Sequence, residues 1–146
     1  QGIIMNNVSN KFHPVGRALI GVLFAVSGFN KILGFSYVSG WMASSGLPMA
    51  DLLLAATIAL EVGGGLLLVT GIQAGLAAAA LALFLVPVTA IFHAFWSADA
   101  AGFQGQLTHF LKNVAVFGGL LMVYAAERQR SAEQGARIGT LGRSAA

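Results

Sequence analysis

An all-α four-transmembrane-helix bundle, antiparallel in up-down order with both termini cytoplasmic, is what three features of this chain predict. Of 146 residues, 57% are hydrophobic and 9% are charged, and the mean hydropathy is +0.79. A water-soluble domain carries about a quarter charged residues, so most of the surface here must face lipid. Apolar runs recur along the chain, each close to the ~20 residues a helix needs to cross a bilayer. The basic residues gather toward the two ends, and no Lys or Arg stands between Gly34 and Leu111.

Taken in order, residues 1–13 read as a polar, frayed tail, with QGII an expression remnant ahead of Met5. Pro14 suits a helix start. The first span runs from Val15 to Leu33 and ends in Asn30 and Lys31 rather than at a small-residue cleavage site, which is not the pattern of a signal peptide. Residues 34–48 read as a loop, with Tyr37 and Trp41 suited to an interfacial belt. Asp51 opens the second span, an acid complementing the positive end of the helix dipole, and the span closes at Gly71. The tight turn 71–75 makes spans two and three antiparallel neighbours. The third span covers about Leu76–Phe95, with Pro87 expected to kink it. A loop follows over 96–106, then a fourth span over about Leu107–Ala126. The membrane domain is therefore 14–126, and 127–146 is a basic tail, either a short amphipathic helix or disordered. Lys11 and Arg17 flank the start, and Arg128, Arg130, Arg137 and Arg143 follow the last span. The positive-inside rule then puts both ends in the cytoplasm and both loops outside.

Glu61 is the organising residue of the second span. A carboxylate near the bilayer centre costs roughly 2.5–3.5 kcal/mol on insertion scales, so it must face inward and find a partner or a proton. The other intramembrane polar residues come in helical pairs. Ser27, Asn30 and Lys31 share a face, as do Thr57 and Glu61, Thr89 and His93, and His109 and Asn113 with Lys112 beside them. Four such sets at similar depth predict one outward-opening cavity, with Glu61 and His93 its chemical residues and Asn30, Lys31, Thr57, Thr89, His109, Lys112 and Asn113 its ligand-binding lining. Two outcomes are open to Glu61: ionised and paired with Lys31, Lys112, a protonated His93 or Arg17, or protonated and hydrogen-bonded to His93 or Asn113. Lys31 and Lys112 lie about two turns above it, so a direct ion pair needs a long reach or intervening water, and the second outcome is the expected one. Plainer roles stand beside these. Ser27, Thr57 and Thr89 can bond their own backbone, the asparagines can join helices, and the lysines can snorkel. The glycines Gly21, Gly28 and Gly63–Gly65 read as close helix contacts rather than a phosphate loop, since they lie inside apolar spans.

A formal charge of +3 without an aromatic-basic patch gives no basis for nucleic-acid binding. The absence of cysteine excludes disulfide exchange by this chain. The segments GRALIGVLFAVSGFNKI, LEVGGGLLLVTG and FLKNVAVFGGLL, with His93 between the last two, resemble the DoxX family of small bacterial membrane proteins over about Pro14–Ala126. The ordered set Arg17, Gly28, Lys31, Glu61, Gly71, His93, Lys112 and Asn113 carries the resemblance. It implies a four-helix integral protein of the bacterial inner membrane, from a family named for quinone-linked sulfur oxidation and similar to subunits placed beside oxidoreductases. Three functional classes follow. The first is a redox-associated subunit binding a quinone or similar lipophilic small molecule, either as a homo-oligomer or beside an oxidoreductase partner. The second is a haem or metal protein with His93 and His109 as ligands, and the third is a transport or structural partner. The residues name no reaction. Quinone is the first candidate cofactor and haem the second.

Overall fold

The computed structural model describes the backbone of residues 2–144 and the side chains of residues 12–138 and Thr140. Gln1 and residues 145–146 lie outside this range, as do the side chains of Lys11 and Arg143 that enter the charge argument. Five helices follow one another: α1 (Gly2–Leu33), α2 (Phe35–Ser44), α3 (Ala50–Thr70), α4 (Ala74–Phe92) and α5 (Phe103–Ser144), with a 3₁₀ turn at Phe95–Ser97. Four of them, α1, α3, α4 and α5, are long and apolar enough to cross a membrane. Each packs on the next, and α5 returns to α1, closing an up-down bundle whose two termini lie at one end. Large apolar side chains such as Leu19, Leu83 and Met122 stand more than half exposed. In water this would be an aggregating surface, and in a bilayer it is the lipid face.

Three boundaries differ from the sequence reading. Residues 34–48 are mostly helix, because α2 docks on the bundle. Met42 is buried, the Trp41 ring lies 4.7 Å from that of Phe92, and the Ser39 hydroxyl donates to the Asp51 carboxylate at the start of α3. Tertiary contact of this kind overrides the weak propensity of a segment holding Gly34, Gly40 and Gly46. The tail after Ala126 continues α5 as far as Ser144, and Pro14 stands inside α1 rather than at its start. At 1.5 Å per residue α5 is about 60 Å long, twice the hydrocarbon thickness, so its polar end projects beyond the bilayer.

The three consecutive glycines of α3 sort themselves by neighbour. Gly65 faces α1, where a Cβ would sit 2.6 Å from the Gly21 carbonyl and 2.7 Å from the Ala25 nitrogen. Gly64 faces Leu81 of α4, and Gly63 meets nothing within 4 Å. On α4, Ala74, Ala77, Ala78, Leu81, Ala82 and Leu85 are buried at spacings of three and four, small enough to let α3 and α5 close on it. At the terminal end the ring is tied by charge. His13 Nε2 donates to Glu127 Oε1 at 2.8 Å, Arg17 Nη1 lies 3.3 Å from the same oxygen, and Arg130 lies 3.7 Å from it. The Arg17 guanidinium also covers Gly71, where φ is +83° and a Cβ would collide with both Nη atoms at 2.6 Å. Gly71 thereby ends α3 in a left-handed cap, its N–H donating to Leu67 O.

The obstruction at Gly65 is backbone, which cannot rotate away. Gly65→Ala should therefore push α1 from α3 and cost about 1–3 kcal/mol, read as a melting temperature several degrees lower in detergent. Gly63→Ala should leave it unchanged. Equal effects of the two substitutions would remove the assigned α1–α3 contact.

Candidate ligand site

The site forms where α1 and α3 pass each other near the α2 end. Cα–Cβ bonds tilt toward the N-terminus of their own helix. In antiparallel helices this tilts Lys31 down from α1 and Glu61 up from α3, toward one another. Lys31 Nζ donates to Glu61 Oε2 at 2.8 Å, to Glu61 Oε1 at 3.1 Å and to Ser27 Oγ at 2.8 Å. Glu61 is only 5% exposed. Gly28 permits the approach, since a Cβ there would lie 3.1 Å from Glu61 Cβ and 2.7 Å from Val62 Cγ2. Of the two outcomes, the favoured one is thus corrected. Glu61 meets Lys31 directly, and its bonds to His93 or Asn113 are not formed, because opposed side-chain tilt closes a gap that a count of helical turns leaves open.

Beside this pair lies a cavity of about 160 Å³ reached by Lys31, Thr57, Glu61 and His93. Its aromatic walls are Trp41, Phe84 and Phe92, and Val38, Trp41 and Met42 of α2 roof it. At about 30 Å³ of liquid per water it has room for a few waters or one ring. His93 lies just past the end of α4, with its backbone N–H still donating to Thr89 O at 3.0 Å. Its Nδ1 donates to Gln106 Oε1 at 3.0 Å. The ring stacks on His109, with centroids 5.0 Å apart and planes 18° from parallel. Stacked imidazoles are not the opposed pair that two axial ligands of one haem require.

The remaining predicted residues do not join this cavity. Thr89 and Asn113 lie in a second groove of about 250 Å³ between α4 and α5, walled by Leu85, Phe110 and Phe117. There Asn113 Nδ2 donates to Thr89 Oγ1 at 3.0 Å, and Thr89 Oγ1 donates to Leu85 O at 2.6 Å. His109 is exposed behind His93, and Asn30 and Lys112 are exposed on the flanks of the bundle. Periodicity places residues on a common face of their own helix and leaves open which neighbour that face meets. Sequence reasoning passed over Met42, Phe84, Phe92 and Gln106, and placed Trp41 in an interfacial belt. The docking of α2 brings Trp41 and Met42 to the site, the first turn of α5 brings Gln106, and the packing of α4 on α3 brings Phe84 and Phe92. No local pattern announces it.

Comparison with known proteins places this architecture. Residues 13–94, which hold Lys31, Glu61 and His93, match the DoxX family model. The chain belongs to the DoxX family. It is similar to two inner membrane proteins of Escherichia coli (strain K12). It is 27% identical to YphA and 32% to YqjF, in each case over 109 residues covering 75% of this chain and 78% of the relative. No solved structure matches. With four membrane-crossing helices and these relatives, the DoxX protein described here is a multi-pass protein of the bacterial inner membrane.

Removing one partner of a buried ion pair strands the other, at about 3–5 kcal/mol. Lys31→Met and Glu61→Gln should each lower the melting temperature. The double substitution should recover part of the loss, with a coupling of about 0.5–3 kcal/mol in a double-mutant cycle. Simple additivity in that cycle would show that the two side chains do not interact.

Proposed function

We propose that this protein is a redox-associated membrane subunit that holds a quinone headgroup, or a similar single-ring lipophilic ligand, in the cavity beneath α2. The observation carrying this reading is a buried Glu61 paired with the half-buried Lys31 beside a small chamber walled by Trp41, Phe84 and Phe92. Ionisable residues at this depth are functional by default, and an aromatic cleft with a few convergent polar groups is the usual form of a small-molecule site. The chemistry present suits a quinone. Aromatic faces flank a flat ring, and the Thr57 hydroxyl is a donor for one of its carbonyl oxygens. The Lys31 ammonium already gives its three protons to Glu61 and Ser27 and faces the ring as a charge. With Nδ1–H given to Gln106, the free Nε2 of His93 is an acceptor, suited to the hydroxyl of the reduced ring. The Lys31–Glu61 pair would supply or accept the proton that accompanies a change in the ligand's charge. A volume of about 160 Å³ lies below the ~300–1,000 Å³ of drug-sized sites, which favours one ring over a fused polycycle. The chain has no cysteine, so electrons would pass between the ligand and a partner oxidoreductase. The basic residues on the polar end of α5, Arg128, Arg130 and Arg137, favour cytoplasmic termini and a cavity opening to the outer half of the membrane.

Glu61→Gln keeps size and hydrogen-bonding capacity but removes the charge. It should preserve the helical fold and weaken quinone binding by about tenfold or more, as expected when a hydrogen bond to a charged group is lost. Fluorescence quenching of Trp41 in nanodiscs would measure it. Wild-type affinity with an unchanged pH profile in Glu61→Gln would make Glu61 structural and end this reading. Orientation is checked by reporter fusions at Trp41 and after Arg130, expected to read periplasmic and cytoplasmic respectively. A cytoplasmic signal at Trp41 reverses the topology.

A further inference from the structure

We propose that the ligand enters the cavity sideways from the bilayer, between α3 and α4, and that its hydrocarbon tail remains in the groove there. This rests on the ligand-binding reading above and adds the route and the second half of the ligand. A groove of about 290 Å³ opens on the lipid face of the bundle, walled by Leu53, Ala56 and Leu60 of α3 and by Pro87 and Ile91 of α4. It shares Met42, Thr57, Phe84, Val88 and Phe92 with the polar cavity. A single layer of side chains therefore separates the lipid from the Lys31–Glu61 chamber.

On the α2 side the buried Met42, 7% exposed, and the Trp41 ring, itself partly exposed but packed on Phe92, form the roof. The groove is open to lipid, with Leu53 and Ile91 exposed by 40% and 47%. Its lining is apolar except for Thr57, which stands where groove and cavity meet. Pro87 lines the opening. It has no N–H to offer the Leu83 carbonyl, so no regular helical bond closes the chain at that turn. A wholly polar ligand would have to cross this apolar wall, while a simple hydrocarbon would leave the ion pair without a partner. The continuous gradient from lipid to Glu61 selects an amphiphile with a small, ring-shaped, hydrogen-bond-accepting head and a flexible chain. Met42 and Phe92 are the layer that must move, the first an unbranched and adaptable side chain.

The test separates head from tail. Two probes are titrated against the full chain in nanodiscs of fixed lipid composition: a methylated benzoquinone without a tail, and the same ring bearing a decyl chain. Each variant is compared with wild type, so partitioning of the probe into lipid cancels. Ala56 is exposed in the groove and touches neither the ion pair nor the cavity. Ala56→Trp should weaken the decyl probe by about tenfold, the loss expected when roughly two methylenes are displaced from apolar cover. It should leave the tail-less probe within about twofold of wild type. Ala56→Leu, a smaller plug on a lipid-facing position, should do the same to a lesser degree and serves if the Trp variant folds poorly. If both probes bind wild type and neither variant discriminates between them, the lateral groove is not the tail site and the headgroup reading survives. If wild type binds neither probe, the headgroup reading itself is wrong and this inference falls with it.

Discussion

The Lys31–Glu61 ion pair is the constraint around which the bundle is arranged. Glu61 is not tolerable alone at this depth in hydrocarbon, and it is satisfied by Lys31, whose third ammonium proton goes to Ser27. That demand explains the tightest packing in the molecule. For Lys31 to reach Glu61, α1 and α3 must run with backbones nearly touching, and they do so at Gly21 against Gly65 and at Gly28 against Glu61 and Val62. The glycines are thus part of the polar site, although none of them carries a functional group.

A second set of charges at the terminal end does a different job. His13, Arg17 and Arg130 converge on Glu127 and tie α1 to α5, while Arg17 also covers the α3–α4 turn at Gly71. The two ends are therefore unlike in chemistry. The terminal end is cross-linked by ion pairs near the membrane boundary. The other end carries an ion pair inside the bundle, a small chamber beside it and the short helix α2 across the top. The chamber's roof is a ten-residue helix anchored by the Ser39–Asp51 bond, the Trp41–Phe92 contact and the buried Met42.

Membership of the DoxX family accounts for the architecture, and the site has to be argued from its own residues, since one fold hosts many activities. Within this chain the division is visible in space. The family match over 13–94 contains the ion pair and His93, whereas the partners that orient His93, namely Gln106 and His109, come from α5 beyond it. The orientation of that imidazole thus belongs to a part of the chain that the family pattern does not specify.

Apolar run length, charge placement and the cost of an acid in lipid determined, from the sequence alone, four spans, termini at one end and an inward-facing Glu61. These are one-dimensional properties, set by how many consecutive residues lipid will accept. The same reasoning kept Lys31 as a partner of Glu61 only at a long reach and favoured His93 or Asn113, put Asn113 and Thr89 in one cavity with Glu61 and read α2 as a loop. Those three depend on which helix face meets which neighbour and on the tilt of side chains along antiparallel axes. Segments 34–48 and 96–106 carry no periodicity long enough to reveal a docked helix. Only the tertiary structure decides such matters, because a periodic pattern orients residues about their own helix axis and leaves the rotation between helices to packing, here to Gly28 and Gly65 letting α1 and α3 close until Lys31 reaches its carboxylate.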